Sequence, residues 1–317
     1  MDVAELPDLA SARLGGRAVY ANDDFFASKN NLVRPEPAVF VPGRYTARGK
    51  WMDGWESRRR RTPGHDFCVV RLGWRGAVRG VDIDTSHFNG NQPEFASLDG
   101  CDLRGAETRA RLAGSDWFEL VPRSPLRPSA HHLLPVAGAR PVTHVRLNIF
   151  PDGGVARLRV RGEVAADLMR LRGRLIDLAA IENGAVVLSA SDEHFGSKEH
   201  LILPGRARNM ADGWETRRRR GPGHDWVILR LAAAGRLERV AIDTHHFKGN
   251  YPESASIEGR QDPDPAWTEV LPRARLRPHA HHTFSKELLS RGPFTHLRLR
   301  IYPDGGVSRL RVHGRLV

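Results

Sequence analysis

The stretch Val145-Arg146-Leu147-Asn148-Ile149-Phe150-Pro151-Asp152-Gly153-Gly154-Val155-Ala156-Arg157-Leu158-Arg159-Val160 decides the fold. Apolar and polar residues alternate on both sides of a Pro-Asp-Gly-Gly turn, the period of a strand with one buried face. Glycine supplies the positive φ that a tight reversal demands, so two strands joined as a hairpin are expected here. Val78 to Thr85 alternates in the same way, with Val81, Ile83 and Thr85 on one side. Clusters of Gly, Pro, Asn and Asp separate these short segments, which is the pattern of a β-sandwich or barrel.

The turn recurs as Pro303-Asp304-Gly305-Gly306, and a much longer phrase recurs with it. Asp53-Gly-Trp-Glu-Ser-Arg-Arg-Arg-Arg-Thr-Pro-Gly-His-Asp66 returns as Asp212-Gly-Trp-Glu-Thr-Arg-Arg-Arg-Arg-Gly-Pro-Gly-His-Asp225, identical at 12 of 14 positions. His87-Phe88-x-Gly90-Asn91-x-Pro93-Glu94 returns as His246-Phe247-x-Gly249-Asn250-x-Pro252-Glu253. Packing alone does not fix polar residues in this way, so both copies are expected to need these side chains. Length changes fall between the motifs, including about ten extra residues between Leu32 and Asp53 that read as a surface loop. Two tandem all-β domains follow, residues 1–163 and 164–317. Between the cores, Val164, Leu168, Leu171 and Leu175 recur at helical spacing, so 164–178 is expected to form a short linker helix.

Composition narrows the class. With 40% hydrophobic and 27% charged residues among 317, the chain reads as ordinary globular protein. No apolar run reaches membrane-spanning length, and residues 1–5 lack the features of a secretory leader. Cys68 and Cys101 both lie in the first copy, so neither a disulfide framework nor a zinc site was carried through the duplication. A cytoplasmic protein is expected. The net charge of +12 favours anionic partners. Lysine contributes only Lys29, Lys50, Lys198, Lys248 and Lys286, so the basic residues are nearly all arginines, spread along the chain.

Several polar constellations are candidates for chemistry. On a strand, alternate arginines of the four-arginine runs would face opposite ways, so Arg58 and Arg60, with Arg217 and Arg219, are candidates to grip a small anion. Asp53, Trp55, Glu56, His65 and Asp66 flank the first run; Asp212, Trp214, Glu215, His224 and Asp225 flank the second. The bland alternative is a solvated arginine face with satisfied His-Asp loop pairs. Lys29 and Lys198 each follow a serine in a polar stretch and could add a cation. His87 with Glu94, and His246 with Glu253, follow a strand end and could serve as acid and base. The pairs His131-His132 and His281-His282 look like metal ligands, but neighbours on a strand point apart, which disfavours one shared ion.

Taken together, the two long phrases and the Pro-Asp-Gly-Gly turn resemble the allantoicase family across roughly residues 8 to 317. The resemblance implies two jelly-roll β-sandwiches of the galactose-binding-domain type. It implies hydrolysis of allantoate to ureidoglycolate and urea in purine breakdown. It also implies a homo-oligomer and leaves divalent manganese open as an activator. On that basis Arg should hold the substrate carboxylate, acidic side chains should accept ureido N–H groups, and the His and Glu pairs should move protons.

Two other classes compete. A galactose-binding-like ligand or sugar module would share the fold without the chemistry, yet would not need dense Arg, His, Glu and Asp phrases in both copies. A nucleic-acid binder would use the charge, but each arginine run is preceded by Glu and followed by His-Asp. Neither nucleic acid nor membrane is expected as a partner, and a small-molecule substrate is.

Overall fold

The computed structural model describes residue 3, residues 6–138 and residues 140–317. Of the segment 1–5 read for a leader, only Val3 lies among them. The chain forms two compact units, Met1–Ala165 and Ala166–Val317. Each is a β-sandwich organised around one long strand.

In the first unit that strand is Asp66–Asp84. Its first half pairs with Arg17–Ala21 on one side and Val142–Phe150 on the other. Phe95–Cys101 and Phe118–Pro125 extend this sheet beyond Val142–Phe150. The register with Val142–Phe150 breaks between Arg71 and Gly76, and past the break the strand pairs with Arg157–Val164 and His131–Pro135. One long strand therefore takes different neighbours on either side of this irregularity. Cys68, Val70 and Leu72 from the first half pack with Val81, Ile83, Leu98, Leu147, Leu158 and Val160 in a single buried cluster. This burial is the main stabilising term, at roughly 1.5–3 kcal/mol for each large apolar side chain removed from water.

The second unit repeats the plan. Asp225–Asp243 pairs first with Val186–Ala190 and Phe294–Tyr302, breaks register between Arg230 and Gly235, then pairs with Arg309–Leu316 and His281–Phe284. Trp55 and Trp214 are wholly buried, and each indole N–H donates at 2.8 Å to a carbonyl, of Asp23 and Asp192 respectively.

Two expectations change. The Pro-Asp-Gly-Gly turn does not close a hairpin, because the strands it joins pair with different halves of the long strand Asp66–Asp84. Its last glycine instead forms a two-residue ribbon, Gly154–Val155 against Trp55–Glu56. A Cβ on Gly154 would lie 1.9 Å from the Phe88 ring, and one on Gly306 would lie 2.0 Å from the Phe247 ring. Glycine is required there by close packing, while the positive φ of the turn falls on the preceding Gly153 and Gly305. The linker helix over 164–178 is also absent: Val164 ends a strand and only Leu168–Leu171 forms a 3-10 turn. None of that turn's residues is buried and Gly173 has φ +76°, so the helical spacing has no apolar surface to complete it. Among the described residues no helix is long and apolar enough to cross a membrane. Both cysteines are buried and unbridged.

Candidate active site

The three repeated motifs converge through the backbone. The ribbon sets Glu56 opposite Gly154. Ser57 N–H donates to the Gly153 carbonyl at 3.1 Å, and Gly154 N–H donates to the Asn91 carbonyl at 2.8 Å. Arg60 N–H donates to the Asp152 carboxylate at 2.7 Å. The segments 56–60, 90–94 and 151–153 thereby enclose a hollow of about 630 Å³, with Phe26 on its rim. The second unit has the counterpart, a hollow of about 360 Å³ lined by Glu215, Arg218, Asn250, Tyr251, Glu253 and Asp304, with Phe195 on its rim.

The arginine run is irregular chain, not a strand, so strict alternation does not govern it. Arg58 turns to Asp23, with Nε 2.6 Å from its carboxylate, and Arg217 lies 3.6 Å from Asp192. Arg60 reaches the hollow, but its guanidinium is tied to Asp66 at 2.7 Å; Arg219 is likewise tied to Asp225. Arg59 and Arg218 are different. Both line a hollow, and among the described residues neither guanidinium has a hydrogen-bond or ion-pair partner. Two carboxylates share the first hollow with Arg59. Glu56 is half-buried and accepts from the Asn91 amide at 2.9 Å. Burial pushes its carboxyl above the usual range, against the opposing pull of the Asn91 hydrogen bond and the Lys50 ammonium. Glu94 is exposed, and its side chain has no hydrogen-bond partner among the described residues.

The remaining candidates fall outside the hollows. His87 and His246 have φ near +70°, and their Nε2 atoms meet the carbonyls of Ala38 at 3.2 Å and Ala207 at 3.0 Å. His87 also stacks on Phe40. Neither histidine lines the hollow that holds the glutamate paired with it in sequence. Asp53 is buried against Arg157 at 2.7 Å and also accepts from Val39 N–H at 3.0 Å. Asp212 sits 3.3 Å from Arg309 in the same role. Trp55 and Trp214 are core residues. Lys29 pairs with Asp24 at 3.1 Å and Lys198 with Glu193 at 3.0 Å. His65 packs on Phe150 and His224 on Tyr302. Burial, aided by Arg300 and Arg219, holds the His224 imidazole below its ordinary value. Asp66 and Asp225 are buried anchors, accepting from Asn22 at 2.9 Å and Ser191 at 3.0 Å.

Sequence reasoning missed Arg59, Arg218, Asp152 and Asp304, and it passed over Asn91 and Asn250 as loop residues. The buried Arg157 and Arg309 were missed too, although Gly-Gly-Val-x-Arg-Leu stands at both sites.

Comparison with known proteins agrees with this duplicated architecture. The allantoicase-repeat family model matches residues 7–165 and 176–317. The chain belongs to the allantoicase family. It is 51% identical over 320 residues to a probable allantoicase 2 of Burkholderia pseudomallei, covering 98% of this chain and 94% of that one. A probable allantoicase of Ralstonia nicotianae is 48% identical, covering 98% and 95%. The crystal structure of allantoicase from Saccharomyces cerevisiae superposes with a TM-score of 0.85 at 36% identity, covering 97% of this chain and 92% of that one.

The histidine pairs in this allantoicase-family chain serve structure. His132 Nε2 accepts from Arg127 N–H at 2.8 Å, so its Nδ1 carries the proton shared with the Ile83 carbonyl at 2.8 Å. His282 does the same with Arg277 and Ile242. His131 points outward to Asp82. Among the described residues no three His, Cys, Asp or Glu side chains come together in a way that fits a metal ion. The donor set around the hollow, among the described residues, therefore does not match a resident divalent ion, manganese included.

Proposed function

We propose that allantoate hydrolysis, the reaction of the allantoicase family, takes place in the hollow of the first unit. Arg59 holds the substrate carboxylate, Glu56 is the acid and Glu94 the base. One observation carries this: the only guanidinium on that hollow without a carboxylate partner, among the described residues, shares it with two glutamates in unlike surroundings. Carboxyl groups whose environments differ in this way can divide acid and base roles.

Allantoate carries a carboxylate and two ureido groups on one carbon. The Arg59 fork matches the carboxylate geometry and fixes that carbon. Glu56, whose protonated form burial favours, donates to the nitrogen of one ureido group as the C–N bond breaks, so neutral urea departs with the bonding pair. The nitrogen of the remaining ureido group supplies its lone pair to form C=N. Water then adds to this carbon and gives its proton to Glu94, leaving ureidoglycolate. Glu94 returns the proton to solvent and Glu56 is reprotonated, so the cycle balances. Asn91, by donating to Glu56 Oε1, orients the acid.

Urea release from allantoate by Glu56→Gln and Glu94→Gln tests the assignment. Each is expected to lose about 100-fold or more in kcat, the usual reach of general acid–base catalysis. Wild-type turnover in both variants would remove the hollow as the site. A nucleic-acid role gains no support from the arginine runs, since Arg58 and Arg60 are already neutralised by Asp23 and Asp66.

A further inference from the structure

We infer that the hollow of the second unit is a second binding site for ureido carboxylates, one that holds such an acid without hydrolysing it. The inference rests on the reading of the first hollow given above.

The second hollow keeps the recognition chemistry. Arg218 stands free where Arg59 does. The Asn250 amide donates to Glu215 Oε1 as Asn91 does to Glu56. Arg219 N–H donates to Asp304 at 2.8 Å, as Arg60 does to Asp152, so the wall is built the same way. Its volume of about 360 Å³ lies within the range of small-molecule sites. An unpaired guanidinium beside two carboxylates and an amide suits a ligand with one carboxylate and several N–H donors.

Three differences separate binding from turnover. First, the glutamate matching the proposed base is engaged: Arg273 lies 4.0 Å from Glu253. Both arginines cap rings, Arg273 that of Tyr302 and Arg123 those of Phe95 and Phe150, but among the described residues Arg123 makes no ion pair with Glu94. Second, Tyr251 stands where the first hollow has Gln92, and the space is smaller. Third, Phe26 beside the first hollow is backed by a hairpin from the stretch that the second copy lacks. There the hairpin Tyr45–Thr46 and Gly49–Lys50 packs on the rim, with Arg48 donating to the Phe25 carbonyl at 2.9 Å. Phe26 is 36% exposed, while Phe195 is 61% exposed. The more exposed Phe195 leaves that rim better hydrated, which weakens the electrostatic help available to a charged transition state.

Isothermal titration of the intact chain with ureidoacetate tests this. That probe has one carboxylate and one ureido group, and its α-carbon lacks the second nitrogen needed to expel urea. The wild type is expected to bind two equivalents per chain, Arg59→Ala one, Arg218→Ala one, and the double variant none. Both arginines are exposed, so the fold survives these changes, and far-ultraviolet circular dichroism checks that it has. Arg59→Ala should also lose about 100-fold in urea release from allantoate while still binding its one equivalent. A single equivalent in the wild type, or two in Arg218→Ala, overturns the second site. Retention of about half the turnover in Arg59→Ala would show that the second hollow hydrolyses its ligand, and overturns the claim that it does not. Full turnover in Arg59→Ala with the expected stoichiometries would instead defeat the catalytic assignment to the first hollow and leave the binding site standing.

Discussion

The Asp53 carboxylate lies 2.7 Å from the Arg157 guanidinium, with both side chains almost wholly buried. Arg157 further donates to the carbonyls of Asp53, Glu36 and Ala156, so one cation closes the loop that precedes the repeated phrase. Removing one member of such a pair strands the other charge. Asp53→Asn and Arg157→Met should each cost about 3–5 kcal/mol, read as a fall in thermal or denaturant midpoint. Burial works against the charged form of Asp53, but Arg157, the Val39 N–H and Arg34 outweigh it and hold its carboxyl below the ordinary value. Its folded value therefore lies below its unfolded value of about 3.9. The stability it contributes is complete above that unfolded value and is lost as pH falls through the folded one. Asp53→Asn should flatten that acid limb.

His87 and Glu94 separate in the structure, and their variants should separate too. Asparagine tolerates the positive φ at residue 87, so His87→Asn is expected to keep kcat within about threefold of the wild type. Glu94→Gln should lose about 100-fold or more. Equal losses in both variants would put the imidazole back at the chemistry.

Glu56 must hold its proton to act as an acid, so kcat should fall as pH rises through its raised value. The Lys50 ammonium opposes that rise. Lys50→Met should accordingly move the alkaline limb of the kcat profile to higher pH. A limb that stays in place, or moves lower, contradicts Glu56 as the titrating acid.

Oxygens that could bind a metal in the first hollow are partly committed elsewhere: Asn91 donates to Glu56 Oε1 and Arg60 N–H to Asp152 Oδ2. Urea release should survive exhaustive chelation. Loss on chelation with recovery on adding manganese would show that an ion assembles a site from residues not grouped here.

The strands and the duplication were legible in the sequence because period-two burial leaves its mark on every strand. Val78–Thr85 and Val145–Ile149 both lie in the sandwich as their alternation required. The Pro-Asp-Gly-Gly segment misled because a local turn signal says nothing about which strand the chain joins next. Here the two strands it joins pair with different halves of Asp66–Asp84. Spacing also misled at 164–178, where apolar residues at helical intervals met no surface to pack on. The site was half legible. Glu56 and Glu94 stood in repeated phrases, but so did Asp53, Trp55 and Asp66, which are buried in ion pairs and packing, and sequence identity does not distinguish burial from a place at the hollow. Arg59 could not be chosen over Arg58 and Arg60, because the choice depends on Asp23 and Asp66 capturing the other two.

That capture makes the central claim measurable with three single variants. The kcat/KM for urea release from allantoate should fall about 100-fold in Arg59→Ala, the loss expected for a bidentate charged contact, and stay within about threefold in Arg58→Ala. Arg60→Ala should act chiefly on stability, through Asp66. An Arg59→Ala enzyme at the wild-type rate, with Arg58→Ala or Arg60→Ala losing the activity instead, would contradict Arg59 as the carboxylate grip and the hollow as the place of hydrolysis.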